Sequence, residues 1–276
     1  MVFKELDLGI DYAALGLKAP KQTPSFKGMI LKNYDEYSKG RKRPAVLVLP
    51  GGGYGFTSER EATPIALEFA ASGISAFVLY YSVAPDVYFP TELVQAFAAI
   101  RVIRENAAEW NIDPDQIYVC GFSAGGHLTA STGVFWNRDW VRKLGFETDS
   151  HKPNGLILSY PVITGGEFAH RGSFENLLGD QYSDALVELN SLEKQVTKDT
   201  PRCFVWHTYE DNGVPVQNSL LFADALAANQ VPFELHIYPH GSHGLSLANK
   251  LVCDQHGIIP KVQTWIPLAK EWIWKD

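Results

Sequence analysis

Six short apolar runs constrain this chain more than any other feature: AVLVLP (45–50), SAFVLYY (75–81), QIYVCGF (116–122), GLILSYPV (155–162), RCFVWHTY (202–209) and FELHIYP (233–239). Most are apolar at successive positions rather than alternate ones. That pattern belongs to strands buried on both faces, as in a parallel sheet covered by helices on each side. Helical patterns lie between them, over residues 64–71, 91–110, 125–134, 216–229 and 261–274. The second of these carries Leu93, Val94, Phe97, Ile100 and Ile103 at helical spacing. Strand alternating with helix predicts a mostly parallel, doubly wound α/β sheet. The segment FKGMILKNY (26–34) is expected to add an edge strand running antiparallel to the rest.

Residues 135–154 and 163–201 are longer than simple turns require. Long connections in compact domains tend to be lids or binding loops. We read both as lid- or cap-like excursions over the face where the strands end, within one domain spanning residues 1–276. Ligand sites of such sheets lie beyond the carboxyl ends of the strands, so each candidate site residue should follow a strand directly.

Composition narrows the function. A formal net charge of −7 leaves no basic surface for nucleic acid and disfavours anionic lipid. No stretch is long and apolar enough to predict a membrane span, and the amino terminus, with Lys4, Glu5, Asp7 and Asp11, does not read as a signal peptide. The three cysteines, Cys120, Cys203 and Cys253, form no Cys-x-x-Cys pair. Neither a zinc site nor a disulfide framework is expected, and a cytoplasmic location is.

The sharpest motif is Gly121-Phe122-Ser123-Ala124-Gly125, followed by Gly126 and His127. A G-x-S-x-G string alone arises by chance in roughly one chain in ten of this length. Here it stands between a strand and a helical run, where a nucleophile elbow must be. Such a turn holds the serine in a strained conformation, and nearby backbone excludes side chains two residues to either side. The run Pro50-Gly51-Gly52-Gly53-Tyr54-Gly55 directly follows another strand. The amides of Gly52 and Gly53, with that of Ala124, are candidates for binding the oxyanion of a tetrahedral intermediate. A phosphate loop is disfavoured, because neither Gly-Lys-Ser/Thr nor G-x-G-x-x-G is present.

A serine nucleophile needs a base, and the base needs an acid; in this fold they follow in the order Ser, acid, His. Asp211 ends a strand in a tight turn before Pro215, and the adjacent Glu210 is the alternative. Beyond them lie His236, His240, His243 and His256. His236 falls inside a strand. His243, in the loop Gly241-Ser242-His243-Gly244, fits the base, with His240 as its competitor. Pro239 and Gly241 prevent helical alignment of these histidines, so a metal site is not expected. Among the charges of Gly55–Glu61, Glu59 and Arg60 are weighed as substrate neighbours and read instead as solvated.

Taken together, LPGGGYG, GFSAGGHL, HTYEDNGVPVQNSLLFADAL and the GSHG loop resemble the bacterial carboxylesterases of the BD-FAE group. These include acetyl-xylan and feruloyl esterase-like enzymes, related to hormone-sensitive lipase. The likeness runs from about residue 25 to the carboxyl terminus. It implies an α/β-hydrolase fold, with a mostly parallel sheet of about eight strands and helices on both faces. It also implies a Ser123, Asp211, His243 triad and an oxyanion hole of Gly52, Gly53 and Ala124. The activity implied is hydrolysis of short acyl esters, above all acetyl, of a sugar or small alcohol, with no cofactor and no metal. Pro50 replaces the histidine that many relatives carry before the glycines. Expected partners are a small-molecule ester, with no nucleic acid and no membrane, and a homo-oligomer is left open. The competing readings are a peptidase of the prolyl-oligopeptidase kind and a non-catalytic binding module on a hydrolase scaffold.

Overall fold

The apolar runs become the strands of a single sheet in the computed structural model, which describes residues 1–275. In chain order the elements are β1 (Val2–Leu6), β2 (Ser25–Ile30), β3 (Arg43–Leu49), α1 (Thr63–Ala71), β4 (Ser75–Tyr80), α2 (Thr91–Glu105) and α3 (Ala107–Trp110). There follow β5 (Ile112–Phe122), α4 (Ala124–Phe135), α5 (Asp139–Arg142), β6 (Gly155–Ser159), α6 (Arg171–Leu178) and α7 (Asp184–Leu189). The chain closes with β7 (Cys203–Thr208), α8 (Gln217–Ala228), β8 (Phe233–Tyr238) and α9 (Trp265–Trp274). The spatial order is β1-β2-β4-β3-β5-β6-β7-β8. Strands β3 to β8 pair in parallel, and β2 is antiparallel to both its neighbours.

The two-residue period of a strand distributes each apolar run between two layers. Ala45, Leu47 and Leu49 join Ile117, Val119 and helices α2 and α4 on one face. Val46 and Val48 join Tyr118, Cys120, Phe122 and helices α1 and α9 on the other. Burial on both faces is the reason the runs carry no polar alternation. Among the described residues, no helix is long and apolar enough to cross a membrane.

Three expectations are corrected. The strand over 26–34 is antiparallel but not at the edge, because β1 pairs outside it from Val2↔Ile30 to Leu6↔Phe26. Only one face of β1 is even partly covered, so VFKEL has no apolar run to announce it. The helix over 91–110 breaks after Glu105, where the Asn106 side chain donates to the Val102 carbonyl at 2.8 Å and competes with the helical backbone. The connection over 135–154 lies at the amino-terminal end of the strands, away from the face expected for it. Arg104, at the far end of α2, donates to Ser150 O and Asn154 Oδ1, and Asn154 Oδ1 accepts the Ile117 amide early in β5. Helix α4 carries the chain from one end of the sheet to the other, so the connection after it must start at that far end. Residues 163–201 leave the carboxyl end of β6. Within them Asn176 Nδ2 donates to Gly53 O and Asn190 O accepts from His127, while Gln195 O and Asp199 O accept from Arg138 and Trp136 past the far end of α4.

One buried group costs stability. Both oxygens of Glu92, in the first turn of α2, are enclosed without a hydrogen-bond partner among the described residues. Burial raises its carboxyl from the ordinary 4.5 to about 8. Below pH ~4.5 folded and unfolded chains both hold it neutral. Between there and about 8 only the unfolded chain gains by ionising, so stability falls across that window and levels off above it. At ~1.4 kcal/mol per pH unit the loss is on the order of several kcal/mol. Glu92→Gln should therefore raise Tm by only a little at pH 5 and by roughly 5–10 °C at pH 8, measured by calorimetry across pH. A gap that does not vary with pH would rule out titration of Glu92 as its source.

Candidate active site

Ser123 sits between the end of β5 and the start of α4 at φ 53°, ψ −118°. A non-glycine residue in this region stores on the order of 1–3 kcal/mol and persists only where its surroundings hold it. Those surroundings are visible. The Ser123 amide donates to Ser159 O at 3.0 Å, and its carbonyl accepts from His127 N at 3.0 Å and Val162 N at 3.1 Å. A Cβ on Gly121 would stand 2.1 Å from Gly125 O, and one on Gly125 would stand 2.1 Å from Leu49 O. The two outer glycines of the motif are there because backbone crosses at both positions.

His243 reaches Ser123 from the loop after β8. Its Nε2 is 2.8 Å from Ser123 Oγ, and its Nδ1 is 2.7 Å from Asp211 Oδ2. A carboxylate only accepts, so the proton is on Nδ1 and Nε2 is left to accept from the Ser123 hydroxyl. Asp211 is 4% exposed. Its Oδ1 accepts the amides of Gly213 and Val214 at 2.9 and 2.8 Å. His207 Nε2, which donates to Val214 O at 2.9 Å, lies 3.3 Å from Asp211 Oδ2. Burial by itself raises the Asp211 carboxyl, but the contacts with His207, His243 and the Val214 amide outweigh it and hold it well below the usual range.

The alternatives weighed in the sequence are elsewhere. Glu210 is exposed and bonds His240 Nδ1 at 2.8 Å, so the second-choice acid and the second-choice base engage each other at the surface. His236 bonds Glu234 at 2.7 Å within β8, and His256 is exposed. Glu59 and Arg60 are exposed, with Glu59 accepting from Tyr80. Among the described residues, no cluster of three or more His, Cys, Asp or Glu is placed to hold a metal ion.

The glycine loop presses on Ser123, for a Cβ on Gly51 would stand 2.9 Å from Ser123 Cβ. A Cβ on Gly52, at φ 136°, would meet Phe56 O at 2.1 Å. Its shape is set from below by Tyr81, whose hydroxyl donates to Pro50 O at 2.7 Å, and from the side by Asn176, whose Nδ2 donates to Gly53 O at 2.8 Å. No hydrogen bond among the described residues engages the amides of Gly52, Gly53 or Ala124.

Several residues that matter here were not singled out by sequence. Glu61, next to the charges read as solvated, turns inward and is 3% exposed. Its Oε2 accepts the Gly51 amide at 2.8 Å and its Oε1 the Tyr160 hydroxyl at 2.7 Å. Burial raises its carboxyl, partly offset by these two bonds. Tyr160 directly follows β6, as Ser123 directly follows β5, which is the one signal that could have found it. Its oxygen also accepts the Ser246 amide at 2.8 Å, and its ring meets that of His243 edge-on at 5.1 Å. Glu61 thus joins the glycine loop to the histidine loop. His127 joins the glycine loop to residues 163–201, taking the Tyr54 hydroxyl on Nδ1 at 2.8 Å and donating from Nε2 to Asn190 O at 2.9 Å. Burial lowers its pKa to about 4, so it stays neutral.

Glu61→Gln should test that junction. An amide can accept from only one of the two donors and turns its NH2 toward the other, at a cost of roughly 1–3 kcal/mol for a buried mismatch. We expect a ~10-fold or greater loss of kcat on an acetate ester with the far-UV spectrum retained; an unchanged kcat would separate Glu61 from the site's geometry.

The BD-FAE family model matches residues 32–226. Over 211 residues the chain is 42% identical to an endo-1,4-beta-xylanase B of Butyrivibrio fibrisolvens, covering 75% of this chain and 33% of that protein. It is 32% identical over 208 residues to an acetylxylan esterase of Xylanibacter ruminicola, covering 72% of this chain and 40% of that one. The chain therefore spans between a third and two fifths of the length of these curated relatives. A crystal structure of an acetyl ester-xyloside bifunctional hydrolase from Caldicellulosiruptor lactoaceticus superposes with a TM-score of 0.83 at 39% identity, covering 98% of this chain and 94% of that one. Sheet order, elbow and family match agree: the chain belongs to the BD-FAE family and has the α/β-hydrolase fold.

Proposed function

We propose that the protein is a serine carboxylesterase, acting as one α/β-hydrolase unit with Ser123 as nucleophile, His243 as general base and Asp211 as the acid that orients it. The observation that carries this reading is the unbroken line from Ser123 Oγ through His243 to Asp211 at 2.8 and 2.7 Å. Ser123 Oγ attacks the ester carbonyl as His243 Nε2 takes its proton. The oxyanion is received by the amides of Gly52, Gly53 and Ala124, and the charge of Asp211 stabilises the imidazolium. His243 then returns the proton to the departing alcohol. A water deprotonated by the same nitrogen releases the acid and regenerates Ser123.

Ester rather than glycoside cleavage is favoured by how the carboxyls are used. Glycosidases generally need two carboxyls free to flank the scissile bond. Here Asp211 is engaged by His243 and two amides, and Glu61 by Gly51 and Tyr160. We further propose a small acyl group, acetyl above all, on a sugar or small alcohol. The acetylxylan esterase relative and the acetyl ester-xyloside hydrolase support this, as do the polar side chains of His170, Ser173 and Asn176 around the glycine loop. The test is a panel of p-nitrophenyl esters from acetate to decanoate beside acetylated xylo-oligosaccharides. The expected result is a kcat/KM that falls steeply beyond butyrate, with deacetylation of the oligosaccharide. Equal rates along the series would refute the small-acyl assignment, and no turnover of any ester would refute the esterase.

A further inference from the structure

His170 is placed by the excursion after β6, as the residue preceding α6. The helix that carries it is tightly seated: Ser173 and Phe174 are buried, the Phe174 ring meets that of His127 at 5.6 Å, and Asn176 bonds Gly53 O. The imidazole is oriented by Ser173 Oγ, 2.8 Å from its Nδ1. A Cβ on Gly53 would stand 4.0 Å from His170 Cε1 and 3.8 Å from Ser173 Oγ, so the ring borders the glycine loop. The segment leading to it passes beside the turn that follows Asp211, since Phe168 O accepts from Asn218 Nδ2 at 2.9 Å and the same nitrogen donates to Pro215 O at 3.0 Å. Burial, with His243 next, shifts the His170 imidazole toward its neutral form. Its Nε2 has no hydrogen-bond partner among the described residues, and the residue is only half-buried.

A neutral imidazole held at one nitrogen presents the other as a single donor or acceptor in a set direction. In an acyl transfer the alcohol leaves on the side of the base, since His243 must protonate its oxygen. A ring that borders the glycine loop, on a segment that Asn218 ties to the turn following Asp211, therefore flanks the alcohol half of the ester. We propose that His170 is a specificity-determining residue whose Nε2 hydrogen-bonds a hydroxyl next to the scissile ester oxygen, selecting monoacylated sugars and polyols over esters whose alcohol lacks a neighbouring hydroxyl. A hydroxyl both donates and accepts, so it matches either tautomer of His170. This inference rests on the esterase reading above and assigns one residue of that site to the alcohol.

The experiment compares kcat/KM for a methyl xyloside bearing one acetyl group beside a free hydroxyl with that for phenyl acetate, which has the same acyl group and no hydroxyl. Wild type, His170→Phe and His170→Gln are each assayed on both. Loss of one hydrogen bond made to substrate predicts that the xyloside-to-phenyl ratio falls about tenfold in His170→Phe. It should recover at least in part in His170→Gln, whose amide can still bond the hydroxyl. A ratio unchanged in both variants, or equal losses on both esters, overturns the assignment. If His170→Phe does not fold, His170→Ala takes its place, since it also lacks a donor or acceptor: the ratio should fall about tenfold, and equal losses on both esters, as a purely structural role would give, overturn the assignment. A wild type inactive on both esters refutes the esterase itself, an outcome distinct from a failure of His170.

Discussion

Replacing Ser123 with alanine is expected to lower kcat for acetate esters by about 10⁵- to 10⁶-fold while leaving the fold intact, the scale seen when a serine nucleophile is removed from an intact site. The remaining rate would come from substrate held against the glycine-loop amides. Alanine takes the same backbone conformation at no new steric cost, and the restraints on the turn come from the backbone of Ser159, His127 and Val162, not from the hydroxyl. Circular dichroism should therefore match wild type. A fluorophosphonate probe gives the independent check, labelling wild type and not the variant. Equal labelling, or more than a percent of wild-type turnover, would mean that Ser123 is not the nucleophile.

The second large effect separates two adjacent carboxyls. Asp211→Asn should cost about 10⁴-fold in kcat, whereas Glu210→Gln should stay within about threefold of wild type. The amide at 211 can keep its oxygen on the Gly213 and Val214 amides, which directs its NH2 toward His243 and the Nε2 of His207. His243 must then present its Nδ1 lone pair to that NH2 and carry its proton on Nε2, where it can no longer accept from Ser123. The same substitution costs stability in a pH-dependent way. The depressed pKa of Asp211 contributes stability that is present above the ordinary carboxylate range and lost as pH falls through the lower folded value. The stability gap between wild type and Asp211→Asn should accordingly be widest near neutrality and narrow in strong acid. If Glu210→Gln proves the damaging change, the acid has been misassigned.

Much of this molecule is written locally in its sequence. The central parallel strands, β3 to β7, are buried on both faces over most of their length, and a run of apolar residues is the direct record of that burial. The elbow is equally local, because Gly121 and Gly125 answer to backbone crossings that any strand–turn–helix of this shape creates. Chain order could then point to Asp211 and His243, each just past a strand end. It could not choose between Glu210 and Asp211 by contact, since neighbours in a turn face opposite ways only once the sheet is assembled. There Glu210 bonds His240 in solvent, and Asp211 bonds His243.

The rest required the folded chain, because it depends on partners far apart in sequence. Edge strand β1 is half exposed and leaves no apolar signature. Glu61 looks like its solvated neighbours Glu59 and Arg60 until Tyr160, 99 residues away, donates to it in the interior. His170 has no significance until α6 settles on the glycine loop more than a hundred residues before it. A strand records its own burial in consecutive residues, so sequence alone determined the sheet and the turn that lifts Ser123. A hydrogen bond between distant side chains leaves no such record. Tertiary structure therefore decided which carboxyl meets His243, what holds the two loops together and which imidazole borders the glycine loop.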